Sequence, residues 1–207
     1  MKIEAIIFDL DGVLVDAVEW HFIALNKALG FFGYEISRYD HATTYNGLPT
    51  RVKLDMLTEE VGLPKSLHKL IRMLKQKFTM QIINNDCRPQ FQHRFAIKRL
   101  ISDGYRIAVA SNAVYESVLM MLGKIDVLKD LEFFLSNEDV SKPKPSPEIY
   151  LEAVRRLSLA KDRVLAIEDN QNGLEAAKMA GIHVCEVGSP ADVTYQTIKG
   201  RIEEIER

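Results

Sequence analysis

The chain has 207 residues, which is enough for one sizeable domain with a small insert. Hydrophobic residues make up 47% of it and charged residues 27%, with a formal net charge of −2, so the composition gives no electrostatic reason to bind nucleic acid or a membrane. Two cysteines predict neither a disulfide framework nor a zinc site, and no apolar run approaches the roughly 20 residues of a transmembrane helix. We therefore expect a cytoplasmic protein with no nucleic-acid or membrane partner.

The first predicted element is a short buried strand from Ile3 to Phe8. It is followed by Asp9 and Asp11, whose carboxylates point the same way if the extended backbone continues, and by Gly12, which permits a sharp turn. A folded protein tolerates two neighbouring carboxylates best when a cation lies between them, and Mg²⁺ prefers oxygen ligands such as carboxylates. The alternative is that both acids are turn residues, because Asp-Gly is a common turn signal.

Residues 16–86 show helical periodicity and no predicted strand, beginning with an apolar stripe that starts at Val18. From residue 87 onwards, predicted helices alternate with predicted strands. Such alternation predicts a parallel sheet covered by helices on both faces. We therefore expect an α/β fold, with a Rossmann-like three-layer core formed by residues 1–15 and 87–207. Residues 16–86 would form an inserted all-helical cap domain.

Polar groups follow several of the predicted strands or lie in the loops between them. Ligands in open α/β sheets bind beyond the carboxyl ends of the strands, so these groups are predicted to converge. Each has a structural alternative: a helix cap, a solvated loop lysine among prolines, or a turn. Besides the acids after the first strand, the candidates are Ser111, Asn112, Lys142, Glu168 and Asp169.

Taken together, these residues resemble the four motifs of the haloacid dehalogenase-like (HAD) superfamily, in order and along the whole chain. The insert resembles the helical cap of phosphoglycolate phosphatase and β-phosphoglucomutase relatives. The first motif, Asp-x-Asp-Gly-x-Leu-x-Asp, is complete, and the other three match at single positions. The matching residues are Asp9, Asp11, Gly12, Leu14 and Asp16, then Ser111, then Lys142 within Ser-Lys-Pro-Lys-Pro, then Glu168 and Asp169.

The resemblance implies a role for each of these residues. Asp9 would be the nucleophile that forms an aspartyl-phosphate, Asp11 the general acid and base, and Lys142 a catalytic charge facing the phosphoryl oxygens. Dehalogenases of the superfamily lack an acid at the position of Asp11, so its presence favours phosphoryl transfer. The hydroxyl of Ser111 and the neighbouring Asn112 would bind the substrate. The resemblance also implies a Mg²⁺ site whose ligands are Asp9, Asp169 and Asp11 through its main-chain carbonyl, while Glu168 would be either a further ligand or the residue that orients a metal-bound water.

The predicted cap is expected to choose the substrate. His21 lies where β-phosphoglucomutase-like proteins carry a histidine that couples cap closure to acid/base chemistry. Those mutases also place an arginine three residues after a loop glycine. Counted from Gly47, that position is Thr50, and Arg51 comes one residue later. All four are candidate substrate-binding residues, although His21 is equally explained as an ordinary half-buried helix histidine and Arg51 as a surface arginine in the first turn of a helix.

The prediction that follows is a Mg²⁺-dependent phosphatase acting on a small phosphorylated metabolite, a sugar phosphate or an organic-acid phosphate. A β-phosphoglucomutase-like phosphosugar mutase is the alternative, and a non-catalytic binding protein is less favoured, because binding alone gives no reason to keep the repelling acids. The expected partner is a small phosphate ester, and the expected assembly is a monomer or a small homo-oligomer.

Overall fold

The computed structural model describes residues 2–207, so Met1, the first residue of the predicted core range, lies outside the described residues. The chain divides into two compact units. The larger consists of the residues up to Asp16 together with Arg88–Arg207, and the smaller is Ala17–Cys87. The elements in chain order are β1 (Ala5–Phe8), α1 (Val18–Gly30), α2 (Arg38–Asp40), α3 (Thr50–Val61), α4 (His68–Asp86), α5 (Phe91–Ser102), β2 (Arg106–Ala110), α6 (Tyr115–Lys124), β3 (Phe133–Leu135), α7 (Glu148–Leu157), β4 (Val164–Glu168), α8 (Gln171–Ala180), β5 (His183–Glu186) and α9 (Tyr195–Glu206).

The larger unit contains a parallel sheet in the order β3-β2-β1-β4-β5. The first strand in sequence lies in the middle, where Ala5 is in register with Arg106 of β2 and with Val164 of β4. Every residue of β1 is buried, as expected for a strand covered on both faces, and this explains its continuous apolar sequence. The predicted α/β class is therefore confirmed, and the strand predicted from Ile3 to Phe8 is observed from Ala5 to Phe8.

Helices pack against both faces of the sheet. Ala5 and Ile7 of β1 belong to a buried cluster with side chains of α7 and α8, and the intervening Ile6 and Phe8 are also fully buried because successive side chains point to opposite faces. Alanines of α8 allow that helix to approach the sheet closely. Those in the cluster are Ala176, Ala177 and Ala180.

The smaller unit is helical, and its residues, all of which the structure describes, include no strand. Helices α1 and α4 pack against each other along their length. The unit has its own apolar core, so it needs no side chain of the sheet to bury its helices. That core includes Leu25, Leu29, Tyr45, Leu54, Leu57, Leu63 and Ile71.

Three local details concern the ends of helices. Residues Lys65–Leu67 form a 3₁₀ turn, and the chain becomes α-helical at His68. Thr50 is the first residue of α3, because Pro49 occupies the preceding position. Helix α6 continues past Gly123 to Lys124. Within residues 2–207, no helix combines the length and apolar character that crossing a bilayer requires.

Candidate active site

The loop after β1 presents the first two acids. The amide of Asp9 donates to the carbonyl of Ile167 at 3.0 Å, which continues the pairing of β1 with β4 by one residue. The amide of Gly12 donates to the carbonyl of Val15 at 2.7 Å and closes the tight turn that follows Asp11. Gly12 has φ +86°, and a Cβ there would overlap the carboxylate of Asp169. Glycine is required at this position for both reasons.

A buried lysine, Lys144, meets the first acid. Its Nζ donates to Oδ1 of Asp9 at 2.9 Å, to Oε1 of Glu168 at 2.6 Å and to the carbonyl of Ala110 at 2.8 Å. An ammonium group has three N–H donors, so these contacts use all of them. Burial opposes the charge of Lys144, but the two carboxylates outweigh it and raise its pKa. Lys144 is therefore a fixed positive charge beside Asp9.

The prediction of Lys142 as the catalytic lysine needs correction. Lys142 is exposed, and its main-chain amide donates to Oε2 of Glu148 at 2.9 Å, while the lysine that reaches Asp9 is Lys144. Glu148 begins α7 and also accepts from the amide of Ser141, which holds the start of the proline-rich loop outside the core. The loop contains two successive Lys-Pro pairs, and they differ in that the lysine of the second pair is packed into the site.

The side chain of Asn112 binds the backbone of the buried lysine. Its Oδ1 accepts from the amide of Lys144 at 2.9 Å, and its Nδ2 donates to the carbonyl of the same residue at 3.2 Å. The side chain therefore holds Lys144 in place, and the predicted role of Asn112 in substrate binding stays a prediction. Ser111 is buried at the end of β2, and its Oγ accepts from the amide of Ala113 at 3.0 Å.

The second pair of acids lies at the end of β4, next to β1 in the sheet. Glu168 is fully buried, and its Oε2 accepts no hydrogen bond from the described part of the chain. Asp169 accepts from Nδ2 of Asn170 at 2.9 Å, and Oδ1 of Asn170 in turn accepts from the amide of Gly173 to cap α8. A Cβ at Gly173 would overlap the carboxylate of Glu168. The start of α8 thus leaves space for one acid and orients the other.

Asp9, Glu168 and Asp169 form a cluster in which one carboxylate oxygen of each lies within 4.8 Å of the others. Burial raises the pKa of Asp9 more than the charge of Lys144 lowers it. Burial and the charge of Asp9 raise the pKa of Glu168 to about 8 and that of Asp169 to about 6. Three carboxylates face a single lysine, and a buried carboxylate oxygen accepts no hydrogen bond, so the residues fit a divalent cation with oxygen ligands. The side chain of Asp11 is not one of the three, and its predicted contribution through the main-chain carbonyl stays a prediction.

The remaining predicted residues belong to the smaller unit. His21 lies on α1, and its Nδ1 is 3.1 Å from Nζ of Lys75 on α4. Gly47 has φ +73° in the loop before α3, and Thr50 begins that helix. Arg51 is largely exposed, with its Nε 4.0 Å from Oδ2 of Asp55 on the next turn. Their roles in substrate binding stay predictions.

Comparison with known proteins decides the family. The model of the haloacid dehalogenase-like hydrolase family matches residues 6–187, most of the chain. The chain belongs to this family. It is therefore an HAD-like hydrolase, as predicted, and the four motifs of the resemblance lie within the matched range.

Proteins similar to this HAD-like hydrolase include a phosphatase, a β-phosphoglucomutase and a protein that was crystallised with a sugar bisphosphate. A phosphorylated carbohydrates phosphatase of Thermotoga maritima is 29% identical over 179 residues, which cover 86% of this chain and 82% of the relative. A crystal structure of β-phosphoglucomutase from Clostridium difficile has a TM-score of 0.84 at 22% identity and covers 99% of this chain and 100% of its own, which shows the shared fold. A mutant CbbY from Rhodobacter sphaeroides, crystallised with xylulose-(1,5)bisphosphate, has a TM-score of 0.77 at 25% identity, covering 89% of this chain and 85% of its own.

Tyr150, like Lys144, is a residue of the HAD-like hydrolase site that was not predicted. Tyr150 is fully buried in α7, and its hydroxyl donates to Oε1 of Glu168. Its spacing with Ala153, Val154 and Leu157 matches the apolar face of a helix, so the sequence presents it as an ordinary core aromatic. A tyrosine on a buried helix face nevertheless indicates a polar partner nearby, because a buried tyrosine hydroxyl needs a hydrogen-bond partner.

Proposed function

We propose that this HAD-like hydrolase is a Mg²⁺-dependent phosphatase for a small phosphorylated metabolite, foremost a sugar phosphate. The observation that carries the proposal is the carboxylate of Asp9, bonded to the buried ammonium of Lys144 and clustered with Glu168 and Asp169. A carboxylate is able to attack phosphorus when the charge of the phosphoryl oxygens is neutralised by groups already in place. Lys144 supplies one such charge, and the acidic cluster provides a place for another.

The chain's own residues account for both halves of the reaction. An oxygen of Asp9 forms a bond to phosphorus as the bond to the leaving oxygen breaks, and Asp11 donates a proton to that oxygen. Water then attacks the aspartyl-phosphate, Asp11 accepts its proton, and the bond between Asp9 and phosphorus breaks to release phosphate. Lys144 stabilises the negative charge throughout, and Asn112 keeps the lysine in place through its backbone.

The metal would be held by Asp9, Glu168 and Asp169 together with the main-chain carbonyl of Asp11. When bound, Mg²⁺ neutralises charge on the phosphoryl oxygens. Mg²⁺ competes with protons for these carboxylates. Binding of Mg²⁺ is therefore weaker at low pH, because the raised pKa values of Glu168 and Asp169 favour their protonated forms.

Two comparisons support a sugar phosphate as the substrate class. The Thermotoga maritima relative is named a phosphorylated carbohydrates phosphatase, and the Rhodobacter sphaeroides protein was crystallised with a sugar bisphosphate. We propose that the smaller unit acts as the cap that selects the substrate. Its candidate residues are His21, Gly47, Thr50 and Arg51, to which the structure adds Lys75 because its ammonium contacts the His21 imidazole.

A phosphosugar mutase is the second candidate. The observation that favours it is the contact between His21 and Lys75, because an imidazole beside an ammonium group combines a proton carrier with an anion-binding charge. Such a mutase would need a sugar bisphosphate as activator. It would transfer phosphate between hydroxyl groups of one sugar with slow net release to water.

The experiment measures phosphate release from a panel of sugar phosphates and organic-acid phosphates, with Mg²⁺ and with EDTA. Asp9→Asn, which keeps the size of the side chain, is assayed beside the unmodified protein after circular dichroism has shown that it is folded. Mg²⁺-dependent release that the variant lacks is the expected result. Near-normal phosphate release by Asp9→Asn would disprove the assignment of Asp9 as the nucleophile. Transfer of phosphate between sugar positions after addition of a bisphosphate, without release to water, would establish the mutase.

A further inference from the structure

Tyr150 has an apolar ring in the hydrophobic core and a polar hydroxyl group that forms a hydrogen bond. The ring belongs to a buried apolar cluster that also contains side chains of β1 and α8. Its hydroxyl donates to Oε1 of Glu168, and burial raises its pKa well above the ordinary value, so the tyrosine is a neutral donor. The same ring lies 4.9 Å from Nζ of Lys144. Tyr150 thus contacts both a candidate metal ligand and the buried lysine.

The two oxygens of Glu168 have different surroundings. Oε1 accepts from the hydroxyl of Tyr150 and from Nζ of Lys144, whereas Oε2 is buried and accepts no hydrogen bond within residues 2–207. Two donors restrain Oε1, and without the tyrosine hydroxyl the carboxylate of Glu168 would be held by Lys144 alone. Lys144 has no further N–H to offer, because its other two donors bind Asp9 and Ala110. The second donor to Glu168 therefore has to come from Tyr150.

From this arrangement we infer that Tyr150 is a positioning residue, which turns Oε2 of Glu168 towards a divalent cation held with Asp9 and Asp169. The inference rests on the proposed metal-dependent function, but it concerns binding of the ion. Groups that hydrogen-bond to metal ligands orient them, and removing one typically weakens metal affinity by about 10-fold to 100-fold. Tyr150 does not contact the reacting atoms in this scheme.

The test is Tyr150→Phe, which removes the hydroxyl and keeps the ring against Lys144. Binding of Mg²⁺ to the full chain is measured by isothermal titration calorimetry. The matched control is Tyr45→Phe in the smaller unit, where another buried tyrosine donates to a carboxylate, that of Glu60. We expect the dissociation constant for Mg²⁺ to rise about 10-fold in Tyr150→Phe and to stay unchanged in Tyr45→Phe.

A merely structural tyrosine gives a different result. Both variants would then unfold at lower urea concentrations, and folded Tyr150→Phe would bind Mg²⁺ as tightly as the unmodified protein, which would overturn the inference. A positioning role also predicts that the phosphate-release activity of Tyr150→Phe recovers at high Mg²⁺ concentration, because only the occupancy of the ion is impaired. Failure of activity to recover, with weakened binding, would assign the hydroxyl a further part in the reaction and contradict a role limited to positioning.

The binding measurement separates this inference from the proposed function. Equal Mg²⁺ affinities of Tyr150→Phe and the unmodified protein, together with Mg²⁺-dependent phosphate release, would leave the phosphatase standing and remove the role of Tyr150. Weakened Mg²⁺ binding without phosphate release from any substrate would keep the role of Tyr150 and remove the phosphatase. An unmodified protein that binds no Mg²⁺ would overturn both.

Discussion

The ammonium nitrogen of Lys144 lies 2.9 Å from Oδ1 of Asp9, although the two residues are 135 positions apart in the chain. Both side chains are nearly completely buried. A second carboxylate, that of Glu168, shares the same ammonium group. The central charge of the site therefore depends on one residue of a proline-rich loop, and a second lysine in that loop offers a matched comparison.

Lys144→Met should lower phosphate release at least about 100-fold, because it removes a preorganised charge from the site. It should also destabilise the fold by about 3 kcal/mol, since two buried carboxylates lose their partner. Lys142→Met, two residues earlier and exposed, should change neither value. Activity assays and urea unfolding of the two variants check this, and equal losses in both would contradict the assignment of the buried lysine.

Gly12→Ala should lose stability and activity together. Its φ of +86° costs an alanine about 1 kcal/mol, and the new Cβ would displace the carboxylate of Asp169. Gly104→Ala is the control, because its φ is +92° but no atom lies within 4 Å of the added Cβ. We expect similar losses of unfolding free energy from backbone strain, with weakened Mg²⁺ binding in Gly12→Ala alone. Unchanged Mg²⁺ affinity in that variant would argue against Asp169 as a ligand.

Two helical glycines provide a comparison without backbone strain. Gly173→Ala should impair activity, because the added Cβ would overlap the carboxylate of Glu168 at the start of α8. Gly123→Ala in α6 adds a methyl group to open space and should raise the unfolding free energy by about 0.5–1 kcal/mol, since alanine loses less entropy in a helix. Urea unfolding and phosphate release measure both effects. An active, stabilised Gly173→Ala would show that Glu168 tolerates displacement.

Asp169 should make the metal-free protein less stable as the pH rises from about 4 to about 6. Burial raises the pKa of Asp169 from 3.8 to about 6, so between these values its carboxyl group binds more protons in the folded state than in the unfolded state. His41 acts in the opposite direction, because burial lowers its pKa to about 4. Asp169→Asn, which does not titrate, should therefore make the slope of unfolding free energy against pH more positive than in the unmodified protein, and saturating Mg²⁺ should do the same because the ion replaces the proton. A more negative slope in the variant would reject Asp169 as the source.

Much of the fold follows from local patterns. The apolar run of β1 and the alternation of helices and strands after residue 87 were predicted because each is specified by neighbouring residues. The lysine was missed because Lys142 and Lys144 have almost the same local sequence. What separates them is burial, which depends on residues far away in the chain.

The same limit applies to the residues that support the site. Asn112 follows a strand, a position typical of a substrate contact, yet its amide group binds the backbone of a residue 32 positions later. Tyr150 belongs to an apolar helix face, and nothing near it in sequence indicates a carboxylate partner. Side chains that orient other side chains act across the sheet. A single sequence shows their chemistry but not their partners.

The central position of β1 has a consequence for synthesis of the chain. Residues 5–8 are made first among the strands, but their neighbours in the sheet begin only at Arg106 and Val164. Until both have left the ribosome, an entirely apolar strand carries two unpaired edges, the kind of surface that associates with other chains. The smaller unit, which has an apolar core of its own, is made completely before those two neighbours. The nascent chain thus exposes both edges of β1 throughout that interval, and chaperones that bind extended apolar segments would protect it there.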